Sequence, residues 1–349
     1  MISMSLFDQD LVTRPVGVIV QRTFHPVGQG AFYSERFYTS GQSEAVYNIV
    51  YDCGTSWGSV LKAKKVVTQA FDNKDVIHYL FISHLDYDHI SLALTLIESV
   101  NSVYAIVLPL VQIDDLVVGI ALNRISNHND AANFLQRVFA RLGIGGNGEN
   151  IKPLQSDIVF VGNEEDIRPQ NSKLWRNGEG RSIGNMPDWV LIPYNVNYQN
   201  RKKELITEFA KLLHEAKIRK LLTGCSTSLP ASGEELYDKL KDPHFVSRVL
   251  ADRELKNAIK SAYEKVTGGV NANSLLLYSG PSNNDAGYRL VSDCNKRCGC
   301  YRVRRPGGSL DVVGFGPTSP EREKEVVRIG ITQIIREESH KNWRESLLL

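Results

Sequence analysis

Short apolar segments separated by polar turns dominate the first third of the chain. Runs rich in β-branched and aromatic residues have the length of buried strands, and they occupy residues 16–23, 45–51, 76–83 and 103–110. Stretches with helical spacing lie between and after them, at residues 58–70, at 90–100 and within 114–142. This alternation of strands and helices predicts an α/β fold.

The second half of the chain has a different pattern. Residues 200–266 are helical in spacing, and the apolar positions of 246–266 fit one face of a single helix. Strand-like runs return at 274–279 and at 288–291, and we expect these two to pair. We interpret residues 1–349 as one domain with a helical insertion at 200–266, although two domains explain the pattern equally well. Residues 294–349 have weak periodicity and form an atypical C-terminal segment.

Composition and charge narrow the class of protein. The chain has 349 residues, of which 42% are hydrophobic and 23% charged, as in ordinary globular proteins. The net charge of +2 predicts no strong overall attraction to nucleic acid or to a membrane, although a local patch is compatible with it. The sequence contains no apolar run of about 18 residues, and the pattern of its first ten residues predicts no secretory signal. Five cysteines, two of them isolated, argue against a disulfide framework. We therefore expect a cytoplasmic protein without membrane contact.

The strongest chemical signal follows the third apolar run. Four side chains that can bind metals lie within six residues, namely His84, Asp86, Asp88 and His89. Imidazole and carboxylate groups suit zinc and similar divalent ions. Alternation places the first three on one side of an extended segment, whereas His89 joins them only if the chain turns. The motif therefore provides ligands more readily for two adjacent metals than for a single one. The alternative interpretation is a polar loop in which Asp88 caps a helix.

This His-x-Asp-x-Asp-His motif after a buried strand resembles the signature of the metallo-β-lactamase fold superfamily. An Asp at its second ligand position is similar to the branch that includes the hydrolase domain of the competence DNA-uptake channel. Two other segments support the resemblance. Val27-Gly-Gln-Gly30 followed by Ile49-Val-Tyr-Asp-Cys-Gly54 is similar to the opening hairpin of the superfamily. The stretch Asn271-Ala-Asn-Ser-Leu-Leu-Leu277 is similar to the strand that opens its second half.

The resemblance implies a fold, a cofactor and roles for the residues of the motif. The fold would be a four-layer αββα sandwich with metals at one edge of its two sheets. The metals would be two Zn²⁺ ions, with one ion or another divalent metal as the alternative. His84 and Asp86 would bind the first metal, and Asp88 and His89 the second. An oxygen of Asp88 would also orient the attacking water, which makes Asp88 the expected catalytic residue.

The second half of the sequence departs from the pattern of the superfamily. No Thr-Gly-Asp follows residues 274–279, and Arg336-Glu-Glu338 stands where the superfamily has His-His-Gly. Three explanations remain open. The site is degenerate, or the segment from 294 is an altered reading of an ancestral one, or other residues replace the missing ligands. The candidates for replacement are Asp293, Asp311, Glu337, Glu338 and His340.

The remaining candidates are weaker. A cluster of three cysteines, Cys294, Cys298 and Cys300, lacks a fourth zinc ligand and is expected to be incidental. The basic stretch 296–305 is a candidate for phosphate contact, but a solvated face is the simpler interpretation. Among the other residues, His25 and His78 are expected to be structural, Cys225 to end an apolar strand, and His128 to have no role.

The motif and the resemblance together favour a metal-dependent hydrolase in which a metal-bound hydroxide attacks an ester. The resemblance to the competence-type branch implies that this ester is a phosphodiester, with other esters as the alternative. The expected partners are nucleic acid or a small phosphodiester or ester substrate. A second hypothesis is a catalytically degenerate protein of the same fold that acts as a binding or scaffold component. The sequence does not specify the substrate, the number of metals or the oligomeric state.

Overall fold

Thirteen strands and ten helices make up the part of the chain that the computed structural model describes. That part comprises residues 18–39, 45–56, 59–144, 151–163, 168–184, 186–197, 200–225, 228–266, 273–281, 289–292, 300–304 and 311–315. The strands are β1 (Val18–Phe24), β2 (Phe32–Thr39), β3 (Tyr47–Cys53), β4 (Val76–Phe81), β5 (Ser102–Pro109), β6 (Asp157–Gly162), β7 (Lys173–Arg176), β8 (Arg181–Ile183), β9 (Met186–Asn197), β10 (Asn273–Pro281), β11 (Arg289–Ser292), β12 (Cys300–Arg304) and β13 (Asp311–Phe315). The helices are α1 (Val60–Ala70), α2 (Tyr87–Ile90), α3 (Ala93–Ser99), α4 (Ile113–Ile125), α5 (Asn129–Leu142), α6 (Asn200–His214), α7 (Ala216–Cys225), α8 (Gly233–Lys239), α9 (Pro243–Ala251) and α10 (Arg253–Glu264).

The strands form two sheets that pack face to face. The larger sheet has the order β11-β12-β13-β1-β2-β3-β4-β5-β6-β7, and the smaller has the order β10-β9-β8. One hydrophobic core lies between the larger sheet and helices α1, α3 and α5, and includes Ile77 and Phe134. A second lies between the two sheets and includes Phe81, Trp175 and Leu275. The protein is thus a mixed α/β sandwich with a central many-stranded sheet, consistent with the metallo-β-lactamase sandwich and confirming the predicted fold class.

Strands β3 to β7 run parallel to one another. The apolar residues of β4, β5 and β6 are mostly buried, because helices cover one face of these strands and the second sheet covers the other. The carboxyl ends of parallel strands lie at one edge of a sheet, which is where ligands bind in open α/β sheets. The His84–His89 motif follows β4 and therefore lies at this edge.

Helices α6 to α10 lie between β9 and β10, two strands that pair antiparallel. These helices pack with α4 around a third core that includes Leu122, Phe209 and Ile259. The helical character predicted for 200–266 is therefore present. The division of the chain into one domain with an insertion stays a prediction.

Three local predictions are wrong. Residues 246–266 do not form one helix, because Asp252 accepts hydrogen bonds from the N–H groups of Glu254 and Leu255 and starts α10 afresh. Strand β11 pairs with β12 and not with β10. Cys225 ends helix α7 instead of a strand.

Most predictions for the C-terminal segment lie outside the described residues. The residues named in those predictions and not described by the structure are Asp293, Cys294, Cys298, Glu337, Glu338 and His340. Asp311 begins β13 and pairs with Ile19 near the start of β1. Since β1 and β13 run parallel, this register places Asp311 at the end of the strand remote from the metal-binding motif.

Within the described residues, no helix combines the length and apolar character of a membrane span.

Candidate metal centre

The motif begins in extended backbone directly after β4 and ends in the short helix α2. Asp86 is extended (φ −74°, ψ 153°), and its carbonyl accepts a hydrogen bond from the backbone N–H of His89 at 3.0 Å. The chain therefore turns between these two residues, which is the condition for His89 to join the other three. The alternative in which Asp88 caps the helix is wrong, because Asp88 lies inside α2 and Asp86 occupies the N-cap position without a side-chain cap bond.

The turn brings the ligand atoms of His84, Asp88 and His89 together, whereas Asp86 lies beside His84 and is not part of this group of three. His84 Nε2 lies 3.5 Å from Asp86 Oδ2, and His89 Nε2 lies 3.6 Å from Asp88 Oδ2. The centroids of the two imidazole rings are 3.6 Å apart. One ligand atom from each of His84, Asp88 and His89 lies within 4.8 Å of the other two. These spacings suit side chains that share one or two cations.

Two residues outside the motif fix the imidazoles. Asp52 Oδ2 lies 2.8 Å from His89 Nδ1, and a carboxylate only accepts, so His89 carries its proton on Nδ1. The Ser83 hydroxyl donates to the same oxygen at 2.7 Å and so accepts from His84 Nδ1 at 2.9 Å. This network assigns both tautomers and leaves both Nε2 lone pairs for a metal. A metal-binding histidine commonly donates its other N–H to a carboxylate in this way.

Asp52 is the functional residue that the sequence interpretation missed. It is 1% exposed, and its Oδ1 accepts the backbone N–H of Ser83 at 2.7 Å. Its φ of 57° is in the left-handed region, which Asp tolerates better than most residues. The sequence did contain a signal, because Asp52 directly follows the strand-like run 45–51, within the stretch Ile49-Val-Tyr-Asp-Cys-Gly54 that resembles the opening hairpin of the superfamily.

Glycines allow the motif to pack closely against β3 and the preceding turn. A Cβ atom on Gly54 would overlap the backbone carbonyl of Asp88 and lie 2.7 Å from the backbone carbon of His89. A Cβ atom on Gly30, whose φ is +153°, would lie 2.8 Å from the same carbonyl oxygen. Only glycine fits at these two positions while α2 stays in place.

The electrostatics of the site favour a cation. Burial by itself lowers the pKa of His89, but the hydrogen bond to Asp52 and the charges of Asp52, Asp88 and Asp86 outweigh burial and raise it. The three carboxylates therefore stabilise positive charge at the imidazole. The donors that the structure brings together, two imidazole nitrogens and one carboxylate, with Asp86 beside His84, are of the kinds that zinc and related divalent ions accept. The residues present thus fit a metal.

One comparison with known proteins bears on this site. The family model described as the metallo-beta-lactamase superfamily matches residues 47–110. The chain is therefore similar to that superfamily over β3, β4, β5 and the motif between them. No curated protein matches the chain. The match supports the superfamily that the motif resembles, while the branch within it stays a prediction.

Two of the other histidines are packed in the structure. The ring of His25 stacks on Phe32 at 4.0 Å, and that of His78 stacks on Tyr47 at 3.8 Å. His128 has a different position. Its ring stacks at 4.0 Å on Tyr87, the residue that precedes Asp88 in the motif. A residue to which the sequence assigned no role thus lies beside the candidate centre.

Proposed function

We propose that the protein is a metal-dependent hydrolase whose metal ligands are His84, Asp86, Asp88 and His89. The observation that carries this proposal is the network in which Asp52 and Ser83 hold both Nδ1 atoms, because it directs both Nε2 atoms toward the carboxylates. In known metal sites, hydrogen bonds of this kind fix the tautomer and the orientation of the histidines that bind the metal. Zn²⁺ is the metal that this donor set favours.

A divalent ion bound there would polarise an ester and lower the pKa of a water molecule. Within the proposed ligand set, one carboxylate is accessible enough to contact an attacking water. Asp88 is the most exposed of the four, with 33% of its side chain accessible, against 16–19% for the others. A carboxylate oxygen on the open side can accept a proton from an attacking water. The proposed substrate is a phosphodiester, with other esters as the next candidates.

The experiment is a hydrolysis assay on the purified full-length chain. Bis(4-nitrophenyl) phosphate and 4-nitrophenyl acetate are tested with and without Zn²⁺ and with a chelator. We expect hydrolysis of the phosphodiester that the chelator abolishes and that His84→Ala and Asp88→Asn reduce at least about a hundredfold. His214→Ala and Asp72→Asn are the matched controls, because both residues are exposed and remote from the motif, and they should retain activity. Undiminished activity in the two site variants would refute the ligand assignment.

The second candidate is the binding or scaffold protein. The observation in its favour is that, within the described part of the chain, the metal-binding group contains no residue from the second half. Metal content separates the two functions. About two equivalents of tightly bound Zn²⁺ per chain favour hydrolysis, and none after dialysis against excess Zn²⁺ favours the scaffold.

A further inference from the structure

Strand β10 lies at one edge of the smaller sheet and pairs with β9. In an edge strand, the N–H and C=O groups of alternate residues face away from the paired strand and need hydrogen bonds elsewhere. The larger sheet supplies such bonds to β10. Arg22 of β1 donates to the carbonyl of Ser279 at 2.6 Å, and two further bonds meet at the backbone of Leu275.

Both backbone groups of Leu275 bond to residues beside the metal centre. Its N–H donates to the carbonyl of Ser83 at 2.6 Å, and its own carbonyl accepts from the Tyr51 hydroxyl. Its side chain is fully buried in the core between the two sheets. A strand from the second half of the chain therefore contacts the residue that orients the imidazoles.

Ser83 connects this contact to the metal ligands. Its backbone N–H donates to Asp52 Oδ1 at 2.7 Å and its carbonyl accepts from Leu275, so its backbone is held from two directions. Its hydroxyl bonds to Asp52 Oδ2 at 2.7 Å and to His84 Nδ1 at 2.9 Å. Because the position of the backbone determines where the hydroxyl points, the orientation of His84 depends on both backbone bonds.

Tyr51 completes this arrangement. It precedes Asp52 in β3 and packs against the core between the sheets. Burial and the charge of Asp52 outweigh the lowering effect of Ser83 and raise the pKa of Tyr51. The hydroxyl therefore stays protonated and donates to the Leu275 carbonyl, which can only accept. Phenylalanine at this position would take that donor away from Leu275.

We propose that Tyr51 is a positioning residue of the metal centre, because its hydroxyl fixes Leu275 of β10 and Leu275 fixes the backbone of Ser83. The proposal rests on the proposed function, since it concerns the same metal ligands. It gives the second half of the chain a part in the metal centre through β10. Tyr51 acts through the hydroxyl of Ser83 and does not itself bind the metal.

The test is a double-mutant cycle that measures zinc affinity. Zn²⁺ is titrated against a chromophoric chelator in the full-length wild type, in Tyr51→Phe, in Ser83→Ala and in the double variant. Tyr51→Phe removes one hydrogen bond and should weaken zinc binding about fivefold. Ser83→Ala keeps the backbone groups but lacks the hydroxyl, and should weaken zinc binding about 10- to 100-fold. The double variant should bind like Ser83→Ala, because Tyr51 acts through that hydroxyl.

Tyr237→Phe is the matched control. Tyr237 is 1% exposed, and its hydroxyl donates to Asp115 at 2.7 Å in the separate core that α4 shares with α6 to α10. This variant loses the same kind of hydrogen bond in a different core, and its zinc affinity should stay within about twofold of the wild type. Circular dichroism and the urea midpoint verify that all variants are folded.

A second measurement needs no metal. With ¹⁵N-labelled histidine, the imidazole signals of the chelator-treated protein report the tautomer of each ring, and His84→Ala identifies the signals of His84. The wild type should carry the proton of His84 on Nδ1. Tyr51→Phe should show a larger share of the tautomer protonated on Nε2, whereas Tyr237→Phe should match the wild type.

Three results would each overturn the proposal: unchanged zinc affinity and tautomer in Tyr51→Phe, an equal loss of zinc affinity in Tyr237→Phe, or additive losses in the double variant. If the chain binds no zinc, the tautomer alone decides.

The two proposals fail in different ways. If Tyr51→Phe binds zinc like the wild type while chelator-sensitive hydrolysis persists, the positioning role is wrong and the proposed function stands. If zinc affinity and tautomer depend on Tyr51 but no ester is hydrolysed, the positioning role stands and the proposed hydrolase activity is refuted.

Discussion

Asp52→Asn is the most direct test of how the metal centre is organised. Asparagine has nearly the same size as aspartate and also tolerates the left-handed backbone that residue 52 adopts. Its amide oxygen can still accept the N–H of Ser83, which now donates to Asp52 Oδ1 at 2.7 Å. Its amide nitrogen, however, donates where Oδ2 accepted from the Ser83 hydroxyl and from His89 Nδ1. His89 then offers Nδ1 as an acceptor and carries its proton on Nε2, the atom that should bind the metal.

The magnitude follows from these contacts. Loss of a carboxylate that orients a metal-binding histidine typically costs about 10- to 100-fold in metal affinity, which corresponds to about 1.4–2.8 kcal/mol. Since Asp52 is 1% exposed, no water replaces the lost acceptor. The metal-free protein should also lose about 1.5–3 kcal/mol of unfolding free energy, the usual value of a hydrogen bond to a charged group.

The assay combines zinc titration against a chromophoric chelator with urea unfolding in the absence of metal. Asp75→Asn is the matched control, because Asp75 accepts from Arg36 at 3.0 Å in a half-buried ion pair away from the motif. Both variants should be destabilised, but only Asp52→Asn should lose zinc affinity. Unchanged zinc affinity in a destabilised Asp52→Asn would refute the reasoning, because Asp52 would then be structural only.

Three further predictions test other parts of the protein. Gly54→Ala places a Cβ atom against the backbone of α2 and should cost about 3 kcal/mol of unfolding free energy and weaken zinc binding; wild-type stability would contradict the close packing. Burial and the charge of Arg36 lower the pKa of His25 from 6.5 to about 4, so the free energy of unfolding should fall as the pH drops from 6.5 toward 4. Between pH 7 and pH 4.5, the urea midpoint of His25→Phe should therefore fall less than that of the wild type. Glu35→Gln removes the carboxylate that pairs with Arg22 at 3.0 Å in a largely buried ion pair. The variant should lose about 3 kcal/mol of unfolding free energy, measured by urea unfolding. A loss below about 1 kcal/mol would show that water compensates the charge of the arginine.

The sequence was informative wherever a structural feature depends on neighbouring residues. The runs that became β3, β4 and β5 are largely apolar, because helices and a second sheet cover the two faces of the parallel sheet. The metal-binding motif was recognisable for the same reason, since all four side chains lie in one turn. The break at Asp252 shows the limit of this approach. One capping side chain divides a stretch whose apolar positions fit a single helix.

Features that depend on distant residues were not predictable in this way. Asp52 and Ser83 are 31 residues apart, and only the pairing of β3 with β4 brings them together. His128 reaches Tyr87 because the turn between α4 and α5 folds back over α2, which no local pattern encodes. The pairing of β11 with β12 instead of β10 is likewise a choice of partner that the local sequence pattern does not indicate.

The metal centre and helices α6 to α10 differ in how the chain builds them. The centre is one segment braced by β3 and lies above the core between the larger sheet and α1, α3 and α5. Helices α6 to α10 pack with α4 around a separate core. The two regions are nevertheless joined, because α4 contributes Leu116 to the first core and Leu122 to the second, and because His128 stacks on Tyr87. Residues that share partners usually have coupled energies, so the two regions are not energetically independent of each other.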